Sequence, residues 1–312
     1  MTTLPLNINE IWPLIYAILQ EYWAITDPYI ERAADQNNIP IELYYYSELG
    51  LTYFSVTDFQ KRDPYTNPER FENAFTRLEF KGWIYPDAGD RYQVSRKAQD
   101  AVRQIVGVGD MQLKKFAMMT DIELDQLANS LKKIIEACLN APEPPEKWAV
   151  SNRFSPVDES SPPIAQVRDA LMYLHAYHDD SHFSAAHSHF GGAGILWSVL
   201  GYLWKNEATT ASQMTKRMAF RGYDKADYEV ALQAAVEIGW AELGDTAEKY
   251  RPTQTGITLR EQVDQQTEVY FSQLWSVLSE RELWQLHASL KKLHELLILF
   301  RNSGTLVLRD NL

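Results

Sequence analysis

Five of the seven histidines in this 312-residue chain fall between His175 and His189. On a helix, His175, His178, His182 and His189 are three, four and seven residues apart and share one stripe. Asp179 lies beside that stripe and His187 on another side. Two imidazoles four residues apart can close on one divalent ion, and a carboxylate can complete or orient the set, so His178-Asp179-Asp180-Ser181-His182 has the spacing of a zinc clamp. It lacks the glutamate of a zincin helix, which leaves the metal unknown. The same stripe equally suits a small-molecule pocket or a polar interface without metal. The ligand-binding candidates are therefore His175, His178, Asp179, His182 and His189. Asp179 or Asp180 could exchange a proton with His182. No nucleophile, phosphate loop or dinucleotide fingerprint accompanies them, so no catalytic residue and no obligatory cofactor is assigned. A non-enzymatic role is the main expectation. The aromatic run Tyr44-Tyr45-Tyr46, with Tyr53 and Phe54, suits a flat ligand, but such runs more often bury themselves as core.

The elements that must position these residues come in duplicate. Glu123-Leu124-Asp125-Gln126-Leu127-Ala128-Asn129-Ser130-Leu131-Lys132-Lys133 recurs as Glu282-Leu283-Trp284-Gln285-Leu286-His287-Ala288-Ser289-Leu290-Lys291-Lys292, with eight of eleven positions identical. Upstream at nearly equal offsets stand Phe80-Lys81-Gly82-Trp83 with Arg91-Tyr92, and Glu237-Ile238-Gly239-Trp240 with Lys249-Tyr250. Two copies of one module fill the chain. The expected division is repeat 1 over residues 1–140, a proline-rich linker over 141–163 and repeat 2 over 164–312. Within the linker, Trp148 and Phe154 suggest that part of it packs against a domain.

Periodicity predicts long helices over 11–34 and 165–190, and shorter apolar ones over 41–49 and 194–204. Ser55-Val56-Thr57-Asp58 and Thr209-Thr210-Ala211-Ser212 supply hydroxyls that cap a following helix. After turns at Asp63-Pro64-Tyr65 and Arg221-Gly222-Tyr223-Asp224, a third helix begins at Asn67-Pro68-Glu69 or Lys225-Ala226-Asp227 and ends at Gly82 or Gly239. The pattern then alternates. Trp83-Ile84-Tyr85 with Arg91–Ser95, and Trp240-Ala241-Glu242-Leu243 with Lys249-Tyr250-Arg251, read as small β-hairpins whose turns are Asp87–Asp90 and Gly244-Asp245. A long helical segment closes each copy. The order is that of a winged helix-turn-helix domain.

Charge and cysteine usage narrow the roles. The formal charge of −12 opposes a broad basic face for phosphates. The single cysteine, Cys138, excludes an intrachain disulfide and is expected in the core of a cytoplasmic protein. The start, Met1-Thr2-Thr3-Leu4-Pro5, has no basic leader, and the longest apolar stretch is too short for a membrane span.

The string from Ser55 through Leu78-Glu79-Phe80-Lys81-Gly82 to Asp90-Arg91-Tyr92-Gln93-Val94-Ser95, and its second copy, resembles the winged-helix core of the multiple-antibiotic-resistance-regulator (MarR) type. Met119–Leu124 and Leu278–Leu283 are similar to the Leu-Ser-x-x-Glu-Leu turn that opens the last dimerising helix of that family. The second half also resembles uncharacterised bacterial helix-turn-helix proteins. The resemblance implies a mainly α-helical protein with small β-hairpin wings. Its two tandem winged helix-turn-helix domains would form an intramolecular pseudo-dimer, acting as a monomer or as a higher homo-oligomer. It also implies a transcriptional regulator that binds double-stranded DNA and responds to a small effector held between long helices.

In such a protein the third helix reads the major groove and the wing holds phosphates. With Phe71, Phe75 and Leu78 inward, Arg70, Asn73 and Arg77 become the first copy's readers and Arg91 its wing cation, since arginine and asparagine make paired contacts to guanine and adenine edges. In the second copy Tyr228, Leu232 and Val236 point inward. Asp227, Glu229, Gln233 and Glu237 face outward, and the basic contribution falls to Lys225, Lys249 and Arg251. The two copies are unequal. The competing expectation is a metal- or small-molecule-binding protein, an enzyme included, working from the 175–189 helix with DNA binding lost.

Overall fold

The computed structural model describes residues 10–155, 157, 161–190, 194–244, 246 and 248–309. The first five residues, the linker's Pro156, Asp158, Glu159 and Ser160, and Asp245 of the second hairpin turn lie outside the described residues. The chain is mainly α-helical with two small antiparallel sheets. No helix among the described residues is long and apolar enough to cross a membrane.

Two compact units organise it, and both draw on both sequence repeats. The first combines residues 1–51, 96–180 and 268–312; the second combines 52–95 and 181–267.

The first unit is built on helices α1 (Ile11–Gln36), α2 (Glu42–Tyr46), α5 (Arg96–Leu113), α6 (Asp121–Asn140), α7 (Trp148–Asn152) and α13 (Glu280–Arg309). Most of α8 (Pro163–Phe190) and the end of α12 (Gln254–Ser272) join them. Ile11, Ile15, Ile18, Leu19 and Tyr22 recur at three- and four-residue steps, so α1 offers one apolar stripe to the core. The duplicated leucines fill that same core: Leu124, Leu127 and Leu131 from α6, and Leu283, Leu286 and Leu290 from α13. Cys138 is buried among them, and burial pushes its thiol well above the ordinary range. The closing segment expected of each repeat is two helices in both cases. The breaks fall before Thr120 and Ser279, each of which caps the next helix.

Those caps lead to a reciprocal contact. Glu123 accepts hydrogen bonds from the Thr120 amide and hydroxyl, and Glu282 does the same for Ser279. Their other oxygens cross between the helices. Glu123 pairs with Lys292 at 2.6 Å, and Glu282 with Lys133 at 3.2 Å. Glu123 is the repeat equivalent of Glu282 and Lys133 that of Lys292, so position i meets position j while j meets i.

The second unit holds two similar lobes. In one, β1 (Tyr53–Ser55), α3 (Val56–Arg62), α4 (Pro68–Phe80), β2 (Ile84–Pro86) and β3 (Arg91–Val94) form a helix pair on a β1–β3–β2 sheet. The other contains α9 (Gly194–Trp204), α10 (Ala211–Arg217), α11 (Lys225–Glu237), β4 (Ala241–Leu243), β5 (Tyr250–Pro252) and the start of α12. The equivalences are detailed. Ser55 and Thr210 cap α3 and α10 by accepting from the amides of Asp58 and Gln213. Helices α4 and α11 are both 13 residues long. Each ends on a glycine at positive φ, Gly82 at +68° and Gly239 at +78°, where the amides of Trp83 and Trp240 bond back five residues to Leu78 and Ala235. Strand β1 falls on the aromatic run Tyr53-Phe54, which has no alternating polar partner to reveal it. In the second lobe its counterpart is one bond, from the Tyr250 amide to the Thr209 carbonyl.

Candidate nucleic-acid interface and histidine helix

Along α4 the apolar residues Phe71, Ala74, Phe75 and Leu78 are buried, which leaves Arg70, Asn73 and Arg77 on the exposed side. Along α11, Tyr228, Ala231, Leu232 and Ala235 are buried and Asp227, Glu229, Gln233 and Glu237 are exposed. Both helices thus present the faces expected of them. Three of the candidate cations, Arg91, Lys225 and Arg251, have anionic neighbours. Arg91 sits 3.4 Å from Asp87 with its guanidinium 4.3 Å over the Tyr53 ring, Lys225 is 2.7 Å from Glu229, and Arg251 is 2.9 Å from Glu242. Lys249 is exposed at the start of the second hairpin's return strand. The first wing is anchored by Asp90, whose carboxyl is lowered by hydrogen bonds from Thr57 and then Ser55, the latter at 2.9 Å.

The two lobes are tied at the turns that precede α4 and α11. The Arg221 guanidinium pairs with Asp63 and lies over the rings of Tyr65 and Phe220. The Asn67 amide donates to the Arg221 carbonyl at 2.8 Å, and the Asn67 side chain donates to the Gly222 carbonyl at 3.3 Å. Arg70, a reader candidate, donates to the Ala219 carbonyl at 3.4 Å and packs its aliphatic stem against Gly222. Gly222 has φ +77°, and a β-carbon there would come within 3.1 Å of Arg70. Sequence reasoning missed this junction. Its only trace was opposite charge at equivalent turns, Asp63 in one copy and Arg221 in the other.

The members of the histidine stripe divide between the two compact units. His175, His178 and Asp179 belong to the first, His182 and His189 to the second. In the first unit His178 stacks on Trp12 with centroids 3.7 Å apart and planes 8° from parallel, and Phe271 meets it edge-on. His175 lies between the Tyr16 face and the Trp23 edge. Its Nδ1 is 3.4 Å from Asp179, an ion-pair distance without hydrogen-bond geometry. In the second unit the buried Trp197 indole donates to His182 Nε2 at 3.2 Å. That leaves the ring proton on Nδ1, which faces the Thr267 hydroxyl at 3.5 Å. Both His182 nitrogens are thereby occupied. The buried Arg260 guanidinium covers the other side of Trp197 at 4.4 Å and pairs with Asp264, whose carboxyl is raised by burial. His189, at the exposed end of α8, lines an open groove of about 420 Å³ with Trp240, Gln254, Thr255, Thr258, Leu259 and Gln262. Among the described residues, no group of three or more His, Cys, Asp or Glu side chains is placed to share a metal ion.

Asp180, weighed as a proton carrier, has a structural task. Only 3% exposed, its two oxygens accept the amides of Ala149 and Val150, both at 2.8 Å, and so fasten the short linker helix α7 to α8. Arg153 extends the attachment through Asp169 at 3.0 Å, and the Phe154 amide reaches the Glu48 carbonyl at 2.8 Å.

The tyrosine run divides by position. Tyr46 is buried, Tyr45 is exposed, and Tyr44 joins a polar cluster that sequence reasoning also missed. Tyr44 hydrogen-bonds Asp27, and Arg168 pairs with Asp110 at 2.9 Å close enough to act on both. Burial is the main cause that raises the Asp27 carboxyl, opposed by the Thr26 hydroxyl, and burial also raises the Tyr44 phenol. Four separate helices supply these residues, so no local spacing announces them.

Comparison of the chain with protein-family models gives no match, and comparison with curated proteins gives none either.

Proposed function

We propose that this chain is a tandem winged-helix transcriptional regulator resembling the MarR type, an intramolecular pseudo-dimer that binds double-stranded DNA and responds to a small effector. The supporting observation is the duplicated order of capped helix, turn, 13-residue helix, glycine stop and hairpin, together with reciprocal pairing of α6 with α13. That pairing has the symmetry of an isologous dimer interface inside one chain. The reading contacts belong to Arg70, Asn73, Arg77 and Arg91 in the first lobe and to Lys225, Lys249 and Arg251 in the second. Pairs such as Arg91–Asp87 and Arg251–Glu242 are exposed, and such pairs contribute only about 0–1 kcal/mol, so phosphates can compete for those cations.

The test is binding of the full chain to genomic fragments across a salt series. Arg77→Ala and Arg91→Ala are expected to weaken binding, and loss of a phosphate contact should reduce the salt slope by about one unit. No binding to any fragment at low salt overturns the reading.

A second reading is supported by the stacked Trp12–His178 and Tyr16–His175 rings. Here the aromatic and imidazole faces of the first unit hold a flat small molecule, with DNA binding lost. Calorimetry with a panel of planar aromatic acids and amines tests it. Saturable heat that disappears in Trp12→Ala supports this reading, and no heat with any of them overturns it.

A further inference from the structure

We infer that the junction between the two lobes is an autoinhibitory latch. This rests on the DNA-reading role proposed above for α4 and α11. Two reading helices that serve adjacent half-sites must lie one helical turn of DNA apart, about 34–36 Å centre to centre. In this chain the first turn of α4 touches Gly222, two residues before the cap of α11. Helices rise about 1.5 Å and extended chain about 3.5 Å per residue, so the two helix centres lie no more than about 32 Å apart, even along a straight line. Held this way, the pair is too close for successive major grooves. The contacts that hold it include Arg221 with Asp63 and Thr66, Asn67 with the carbonyls of Arg221 and Gly222, Arg70 with the carbonyl of Ala219, and the Tyr65 ring against Phe183 and the second lobe's core. One of these, Arg70, is itself a reader. The latch therefore withholds a base contact and the required spacing together, and opening it returns both.

The arrangement fits a switch because its ion pair is partly exposed: the Asp63 and Arg221 side chains keep 37% and 21% of their accessible surface. If the open form is about 1–10% populated, releasing the latch raises apparent DNA affinity about 10- to 100-fold.

The experiment uses the full chain with spin labels at introduced cysteines replacing Glu79 and Glu237, both exposed near the far ends of α4 and α11. The buried Cys138 stays in place. Distances and DNA affinity are measured for the parent, for Asp63→Asn with Arg221→Gln, for Asp63→Arg alone, and for Asp63→Arg with Arg221→Asp. Circular dichroism checks that each variant folds. The expected result is a longer distance population and at least tenfold tighter DNA binding in the first two variants, with both values returning toward the parent in the charge-swapped pair. Unchanged distances in folded variants, or longer distances with DNA binding that is measurable but no tighter, overturn the latch. Longer distances with no DNA binding by any protein overturn the regulator reading, and the inhibitory role with it.

Discussion

At the scale of single residues, the buried Asp180 is a structural acceptor, whereas the surface carboxylates of Glu123 and Glu282 carry a pH dependence through their caps and lysines. Asp180 is the main buried acceptor for the first turn of α7, so Asp180→Ala leaves two amides without it. The expected cost is about 1–3 kcal/mol, read from urea unfolding, with earlier proteolysis at the 141–163 linker. Glu123 and Glu282 behave differently. Lys292 and then the Thr120 cap hold the Glu123 carboxyl down at about 2, and the Ser279 cap followed by Lys133 does the same for Glu282. Both are depressed below the ordinary value of 4.5. Their stabilising contribution is complete above the unfolded value and disappears as pH falls through about 2. Thermal scans between pH 5 and pH 2 should show a midpoint that drops with acid, and drops less in Lys133→Ala with Lys292→Ala. An equal acid response in that variant counts against the assignment.

At the scale of elements, α11 ends cleanly because Gly239 takes a left-handed conformation with open space around the missing side chain. Gly239→Ala should therefore report backbone strain alone, about 1–2 kcal/mol in chemical denaturation, without loss of packing. A larger cost means that packing is lost along with the backbone conformation. Helices were the legible part of this fold. The 11–34 and 194–204 expectations correspond to Ile11–Gln36 and Gly194–Trp204, since an apolar stripe is a local signal of period 3.6. The glycine stops and hairpins were legible for the same reason. Strand β1 was not, because it lies in an aromatic run outside any hairpin and pairs with β3 far along the chain, Tyr53 opposite Gln93 and Ser55 opposite Arg91. The histidine stripe was legible as a helix face, but its division between Trp12 in one compact unit and Trp197 in the other depends on partners far along the chain. The Asp63–Arg221 pair, 158 positions apart, and the Asp27–Tyr44–Arg168–Asp110 cluster escaped for that reason too.

At the scale of the whole molecule, the duplication predicts matched energetics in the shared core of the first unit. Leu131 and Leu290 are repeat equivalents and both fully buried. Leu131→Ala and Leu290→Ala should each cost about 2–5 kcal/mol and agree closely with one another in equilibrium unfolding. A marked inequality would mean that the two sides of the helix pair have drifted apart in packing as well as in surface charge. The reciprocal Glu123–Lys292 and Glu282–Lys133 bridges bear on how such drift begins. In an assembly of identical chains every substitution is made twice, so a change harmful on one side and useful on the other cannot be sampled. With both halves on one chain, a neutral or acidic replacement in the α11 lobe leaves the α4 lobe untouched. The covalent link thereby frees each half from mirroring the other, and unequal lobes are what such freedom leaves behind.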